Sequence, residues 1–72
     1  MTIQEALKKA TESSSLIRPI FWKGMAVEPA VGSMWVKKPG VSDKNKSVYY
    51  LTPNDIISEW EIVSMETLVA ET

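Results

Sequence analysis

The chain has 72 residues, a formal net charge of −1 and neither cysteine nor histidine. A chain of this length forms one domain, residues 1–72, and buries only about 60–65% of its unfolded surface, so we expect modest stability. The composition excludes disulfides and the usual transition-metal sites, and the charge balance argues against a general DNA or RNA binder. The first residues lack the basic start and apolar run of a signal peptide, and no apolar stretch reaches the about 20 residues that span a bilayer, which predicts a cytosolic protein without membrane contact.

The first predicted element is an amphipathic helix over residues 3–11. Thr2 and Glu5 fit a capping box, and apolar residues recur after them at helical spacing. Such a short helix is stable only when its apolar stripe rests on a sheet. Three serines then lead into the first strand.

Short strands follow the helix, and Pro19 interrupts the first of them. Because proline cannot donate to a ladder, we expect an edge position or a bulge there. The gaps between strands are too short for crossover helices, which predicts an α+β fold with the N-terminal helix packed on a small antiparallel β-sheet. The lysine-rich residues 37–47 are typical of a polar hairpin loop rather than of a nucleic-acid patch. The predicted strands are residues 16–22, 25–28, 34–36, 48–51 and 60–63.

Residues 51–63 change backbone period twice. Thr52 is a good N-cap, Pro53 suits the first helical position, and Asp55 places a carboxylate in the first turn, so a short helical turn precedes the last strand. We expect the polar groups of Asn54 and Asp55 to face outward. The tail, residues 64–72, either adds a helical turn or frays. Three apolar residues of the closing segment are predicted to be buried: Ile56, Ile57 and Trp60.

Nothing in the sequence indicates catalysis. Asp55 and Glu59 stand four residues apart, but a helix-start residue and a solvated residue explain this spacing more simply than an acid–base pair. Gly24, Gly32 and Gly40 are isolated turn glycines rather than a phosphate-binding loop. We therefore predict a protein that is not an enzyme and that uses no cofactor and no metal ion.

Binding has better support, because three tryptophans and two tyrosines are a heavy aromatic load for so small a chain. Trp35 and Trp60 fit a core and Trp22 a partly covered turn; alternatively, Trp22 or Trp60 forms a stacking wall for a planar ligand such as a base. Arg18 is the only arginine. It either pairs with a surface acid or, in a pocket beside Trp22, contacts a phosphate.

Three stretches resemble the second Thoeris anti-defence family of phage proteins. They are Ala-Leu at positions 6 and 7, Arg18 followed by WKGM at 22–25, and LTPNDIISEW at 51–60. That family has an Ala-Leu helix, an arginine, a Trp-x-Gly turn and a closing segment that ends in an acid and a tryptophan. The order and spacing agree over nearly the whole chain, and the closing segment is the most specific part.

The resemblance implies a non-catalytic homo-oligomer, a tetramer or dimer, in the host cytoplasm. Such a protein is a sponge that sequesters a cyclic nucleotide immune signal, either a cyclic ADP-ribose isomer or a cyclic dinucleotide. Carried over residue by residue, Trp22 would stack on the ligand, Arg18 would contact a phosphate, and Asn54 and Asp55 would be polar pocket residues. Trp60 would lie in the core or the pocket wall. A second hypothesis is a small interaction module that binds and inhibits a host protein through an exposed aromatic face.

Overall fold

A computed structural model describes residues 1–45 and 47–72 and places helices on both faces of a four-stranded antiparallel sheet. The strand order is β3-β2-β1-β4. The predicted α+β fold is confirmed. The elements are α1 (Ile3–Ser13), β1 (Leu16–Pro19), β2 (Ala26–Ala30), β3 (Ser33–Lys37), a 3₁₀ turn (Asp43–Asn45), α2 (Pro53–Ile57), β4 (Trp60–Val63) and α3 (Met65–Ala70).

Helix α1 begins with the predicted capping box. The Thr2 hydroxyl accepts a hydrogen bond from the Glu5 N–H at 3.2 Å, and the Glu5 carboxylate accepts one from the Thr2 N–H at 3.1 Å. Ser14, in the left-handed conformation with φ 54°, ends the helix two residues beyond the predicted end. The apolar stripe of α1 packs on the sheet and anchors one of its faces.

The sheet separates two apolar clusters, because successive residues of a strand point to opposite faces. Leu16 and Ile17 of β1 show this division. We call the two sides the α1 face and the α3 face after the helices that cover them. The α1 face buries Ile3, Ala6, Ala10, Ile17, Val27 and Trp60. The α3 face buries Leu16, Ala26, Val63 and Leu68.

Strand β1 lies inside the sheet between β2 and β4, so the edge position predicted for Pro19 is wrong. The bulge is also wrong, because the register with β4 runs unbroken from Leu16 to Pro19. The ladder to β2 registers only Ile17 with Val27, and Pro19 lies beyond its end. The missing N–H of Pro19 therefore interrupts no ladder, and its carbonyl starts the next turn by accepting from the Trp22 N–H at 3.0 Å.

The strand predicted at residues 48–51 is reduced to a single bridge between Trp35 and Val48. The hydrogen bond from the Tyr49 N–H to the Met34 carbonyl, 2.8 Å long, belongs to this short contact with β3. The chain then leaves the sheet because the cap of α2 follows only three residues later. The tail forms helix α3, the first of its two predicted alternatives.

The lysine-rich segment is not wholly a loop. Lys37 is the last residue of β3 and lies 3.9 Å from the carboxylate of Glu28 on β2. Lys38 and Lys44 are exposed, as a polar loop requires, and Lys46 lies outside the described residues.

Candidate ligand-binding site

Helix α2 is a five-residue helix fixed by a second capping box. The Thr52 hydroxyl accepts from the Asp55 N–H at 3.2 Å, and the Asp55 carboxylate accepts from the Thr52 N–H at 2.9 Å. The reciprocal bond turns the carboxylate back towards the body of the protein, and Asp55 is only 5% exposed. The outward orientation predicted for Asp55 is therefore wrong, whereas Asn54 is exposed as expected.

Asp55 joins two aromatic side chains. Its carboxylate accepts a hydrogen bond from the Tyr49 hydroxyl, and its main-chain carbonyl accepts one from the indole Nε1–H of Trp60 at 2.7 Å. Burial, helped by the bond to Asp55, raises the pKa of Tyr49 to about 12. Burial also acts to raise the pKa of Asp55, but the hydrogen bonds from Tyr49 and Thr52 outweigh it and lower that pKa. At neutral pH a protonated phenol thus donates to a carboxylate.

Tyr49 also contacts the first of the predicted stacking residues. Its ring meets that of Trp22 edge to face, with centroids 5.2 Å apart and planes inclined at 78°. Both rings are half-buried and pack against the cluster on the α1 face. Trp60 is 1% exposed and lies in the core behind Asp55, so of its two expected positions it takes the core.

Tyr49 therefore contacts two of the five predicted site residues, Trp22 and Asp55, and Asp55 links it to a third, Trp60. The sequence predicts Tyr49 only as a residue of a strand. The available signal was an aromatic residue three positions before the cap at Thr52, within reach of the first turn of the helix. Asn54 points away from this group into solvent, and Arg18 lies on the opposite face.

Arg18 is buried on the α3 face and is 3% exposed. Its Nε donates to the Glu61 carboxylate at 2.7 Å. Its two terminal nitrogens donate to the two carboxylate oxygens of Glu71, the Nη2 bond being 2.8 Å long. The bonds to Glu71 and then Glu61 outweigh burial and raise the pKa of Arg18. Arg18 thus pairs with acids, as one alternative predicted, but in the interior rather than on the surface.

Glu71 is held by the turn that follows β1 as well as by Arg18. Its carboxylate accepts from the Gly24 N–H at 3.0 Å, and Lys23 Nζ lies 3.9 Å away. These contacts, led by Arg18, lower the pKa of Glu71 to about 2. Gly24 has φ 72°, and a Cβ there would lie 3.3 Å from Thr72 Cγ2, so the turn and the close approach of α3 both favour glycine. Residues 22–24 consequently connect the aromatic pair to the Arg18–Glu71 cluster.

Large apolar side chains are exposed near the closing segment. Ile57 is 82% exposed and Ile56 is also exposed, so their predicted burial is wrong. Helix α2 has less than two turns, and the residue it buries is Asp55. Phe21, beside Trp22 in the chain, is 67% exposed. The other exposed large apolar residues among those described include Ile20, Val31, Val41, Tyr50, Leu51, Met65 and Val69.

An apolar groove of about 400 Å³ opens beside Tyr49. It runs between α1, the turn from β2 to β3 and residues 48–51. A larger groove of about 610 Å³ lies on the α3 face near Glu28 and Lys37. Neither groove is lined by any of the five predicted site residues, but the smaller one is lined by Tyr49. The walls of the smaller groove include Leu7, Pro29, Met34, Tyr49, Tyr50 and Leu51.

Within residues 1–45 and 47–72, no three side chains of the metal-binding types come together as an ion would require. None of the helices in this part of the chain is both long and apolar enough to cross a bilayer. A comparison of the chain with models of known families, with curated proteins and with solved structures finds no match.

Proposed function

We propose that this chain is a non-catalytic sponge that binds and sequesters a cyclic nucleotide immune signal in the cytoplasm of a phage-infected host. The ligand is a cyclic ADP-ribose isomer or a cyclic dinucleotide. The observation that carries the proposal is the half-buried pair of Trp22 and Tyr49, held by Asp55 beside an apolar groove. The resemblance to the second Thoeris anti-defence family supports it from the sequence.

The aromatic pair is suited to a base because it is fixed before a ligand arrives. The Tyr49 hydroxyl is anchored by Asp55, and the Tyr49 ring is braced by Trp22. Stacking of one base on an aromatic side chain is worth about 1–3 kcal/mol. The groove of about 400 Å³ beside Tyr49 lies within the size range of small-molecule sites, about 300–1,000 Å³.

The same geometry favours binding over turnover. An effective acid or base has a pKa near the working pH. The pKa of Tyr49 is raised to about 12 and that of Asp55 is lowered, so neither group changes its protonation state near pH 7. Each is also already hydrogen-bonded to the other. Asp55 thus orients the pocket wall instead of acting on the ligand.

Oligomerisation is part of the proposal because exposed apolar residues surround the closing segment. Ile57 and Phe21 are largely exposed, and association of subunits would remove their apolar surface from water. A homotetramer or homodimer would cover it and would let neighbouring subunits complete each groove. Small chains without disulfides or metals often complete their cores in this way.

The direct test is thermal unfolding of the protein against a panel of cyclic ADP-ribose isomers and cyclic dinucleotides, with linear nucleotides as controls. A ligand at a hundredfold excess over its Kd adds about 2.7 kcal/mol of stability, which raises the midpoint by several degrees. Recovery of the intact nucleotide after denaturation would support a sponge, whereas conversion of the nucleotide would contradict it. If none of the nucleotides in the panel raises the unfolding midpoint, the proposal is contradicted.

Two tryptophan variants test where on the protein the nucleotide binds. Trp22→Ala should weaken binding of the nucleotide by about 1–3 kcal/mol if one base stacks there. Trp35→Ala is the matched control, because Trp35 pairs with Glu28 on the face opposite the aromatic pair. Equal loss of affinity in both variants, or an unchanged affinity in folded Trp22→Ala protein, would place the ligand elsewhere.

The exposed apolar residues also favour the second candidate, an interaction module that binds and inhibits a host protein. Phe21→Ala distinguishes the two candidates when binding of the host partner and of the nucleotide panel are measured side by side. A stable host partner that is lost in Phe21→Ala, together with no response to any nucleotide, would favour the module. A nucleotide response without a protein partner would favour the sponge.

A further inference from the structure

Three hydrogen-bond donors from the body of the protein converge on the carboxylate of Glu71. Arg18 donates from both terminal nitrogens, the Gly24 N–H donates at 3.0 Å, and the Lys23 ammonium lies 3.9 Å away. A guanidinium fork pairs with two oxygens of a phosphate as readily as with a carboxylate, and a main-chain N–H adds a third bond. Arg18, Gly24 and Lys23 therefore form an anion-binding site around the Glu71 carboxylate, and we call this site the anion cradle.

The donors of this cradle are positioned by the sheet and not by Glu71. Arg18 is opposite Glu61 in the β1–β4 ladder, and its Nε bonds that carboxylate at 2.7 Å. Gly24 is set by the turn after Pro19, where the Pro19 carbonyl accepts from the Trp22 N–H. Withdrawal of Glu71 would thus leave the donors in place.

Helix α3, which precedes Glu71, is short and has a single buried side chain. It has six residues, and of these only Leu68 is buried. A helix of this length is not stable by itself. Opening of such a segment costs less free energy than unfolding of the sheet beneath it.

We propose that Glu71 is an intramolecular competitor that occupies a phosphate site formed by Arg18, Lys23 and Gly24. When α3 is released, the phosphate group of a ligand takes the position of the carboxylate. Residues 22–24 lead from this site on the α3 face to Trp22 on the α1 face. That the phosphate belongs to a nucleotide rests on the function proposed above.

The competition also has an electrostatic basis. With Glu71 in place, the positive charges of Arg18 and Lys23 are balanced by the carboxylates of Glu61 and Glu71. Without Glu71 the cluster has one excess positive charge, which attracts an anion. A ligand must therefore displace a carboxylate that is already bonded, and its apparent affinity is reduced accordingly.

The test is a titration of the full chain with inorganic phosphate. Binding is monitored by the shift of the Gly24 amide resonance in ¹H–¹⁵N spectra. Glu71→Gln removes the charge of the competitor, and it should bind phosphate about tenfold more tightly than the unaltered protein because charge-assisted bonds are exchanged for weaker ones. Glu66→Gln is the matched control, since it makes the same change at an exposed residue in the first turn of α3, the helix that precedes Glu71. It should leave phosphate binding unchanged.

A second variant separates the cradle from a general charge effect. Adding Lys23→Gln to Glu71→Gln removes the positive charge of a side chain that is 71% exposed, so it should leave the fold intact and reverse part of the gain. Equal phosphate affinity in Glu71→Gln and Glu66→Gln, with both proteins folded, would overturn the inference. Inorganic phosphate needs no nucleotide site, so a failure of the nucleotide panel and a failure of the cradle are separate results.

Discussion

Each side of the sheet buries one charged side chain, but the two charges are held in different ways. Asp55, behind the α1 face, is bonded to Tyr49 and Thr52, six and three residues away in the chain. Arg18, on the α3 face, is bonded to Glu61 and Glu71, 43 and 53 residues away. Local partners form with the segment itself, whereas remote partners depend on the docking of another element.

This difference indicates at which of the two sites a ligand can replace a bonded side chain. The partners of Asp55 are neutral donors within one capping box and one ring, so its carboxylate is a fixed support for the aromatic pair. The partners of Arg18 are carboxylates, and one of them is carried just after a six-residue helix. An anion of similar geometry can replace a carboxylate, but no ligand can easily replace a capping box.

The largest expected effect is on the α1 face. Trp60→Ala removes a side chain that is 1% exposed, and it should lower the free energy of unfolding by about 3–5 kcal/mol. Urea denaturation measures the change. Trp35→Ala is the control, because Trp35 is only half-buried, and it should cost less. An equal cost for the two tryptophans would contradict the division between core and surface.

A smaller loss of stability is expected when Asp55, the support of the aromatic pair, is replaced. Asp55→Ala leaves the Tyr49 hydroxyl and the Thr52 N–H without their acceptor, which should cost about 1–3 kcal/mol. Its neighbour Asn54 is exposed, so Asn54→Ala should change stability by less than about 0.5 kcal/mol. Urea denaturation of the two variants compares them directly. A stability loss in Asn54→Ala as large as that in Asp55→Ala would show that the support is not specific.

The sequence predicted those parts of the molecule that depend on neighbouring residues. The capping box of α1, the N-cap of α2, the change from helix to strand at Trp60 and the α+β arrangement follow from local patterns. The direction of Asp55 was predicted wrongly because a first-turn carboxylate stabilises a helix start whether it faces solvent or, as here, reaches a buried tyrosine. The pattern at the cap is the same in both cases.

The partners of Arg18 could not be predicted, because pairing across 53 residues depends on the completed sheet. The burial of Ile57 was predicted wrongly for a related reason. Apolar composition indicates burial, but it does not say whether the cover comes from this chain or from another molecule. The candidate site was therefore predicted in its residue types and only partly in its geometry.

The third effect is on the α3 face and depends on pH. The pKa of Glu71 is lowered from 4.5 to about 2 by Arg18, Gly24 and Lys23, so the folded protein binds fewer protons there than the unfolded chain. The stabilisation is complete above pH 4.5 and is lost as the pH falls towards 2. The protection factors of the α3 amides, which correct for the intrinsic pH dependence of hydrogen exchange, should fall over this range.

Glu71→Gln is the control for the acid effect, because Asp55 also has a lowered pKa and contributes its own loss of stability in acid. In this variant the protection factors of the α3 amides should be low already at neutral pH and should change little on acidification. If the α3 amides stay as protected as in the unaltered protein, the carboxylate of Glu71 is not what holds α3.

The smallest effect compares the two sides directly through their helix caps. Ser64 accepts from the Thr67 N–H at the start of α3, and Thr52 accepts from the Asp55 N–H at the start of α2. Replacing either cap by alanine should cost about 1 kcal/mol. Thr52→Ala should lower the global stability in urea, because its capping box supports the core through Asp55. Ser64→Ala should leave the urea midpoint nearly unchanged and accelerate hydrogen exchange only in α3. If α3 opens independently of the sheet, the cap contributes to the opening of α3 and not to global unfolding. Equal shifts of the urea midpoint in both variants would mean that α3 unfolds with the sheet, and a ligand could then reach Arg18 only by unfolding the protein.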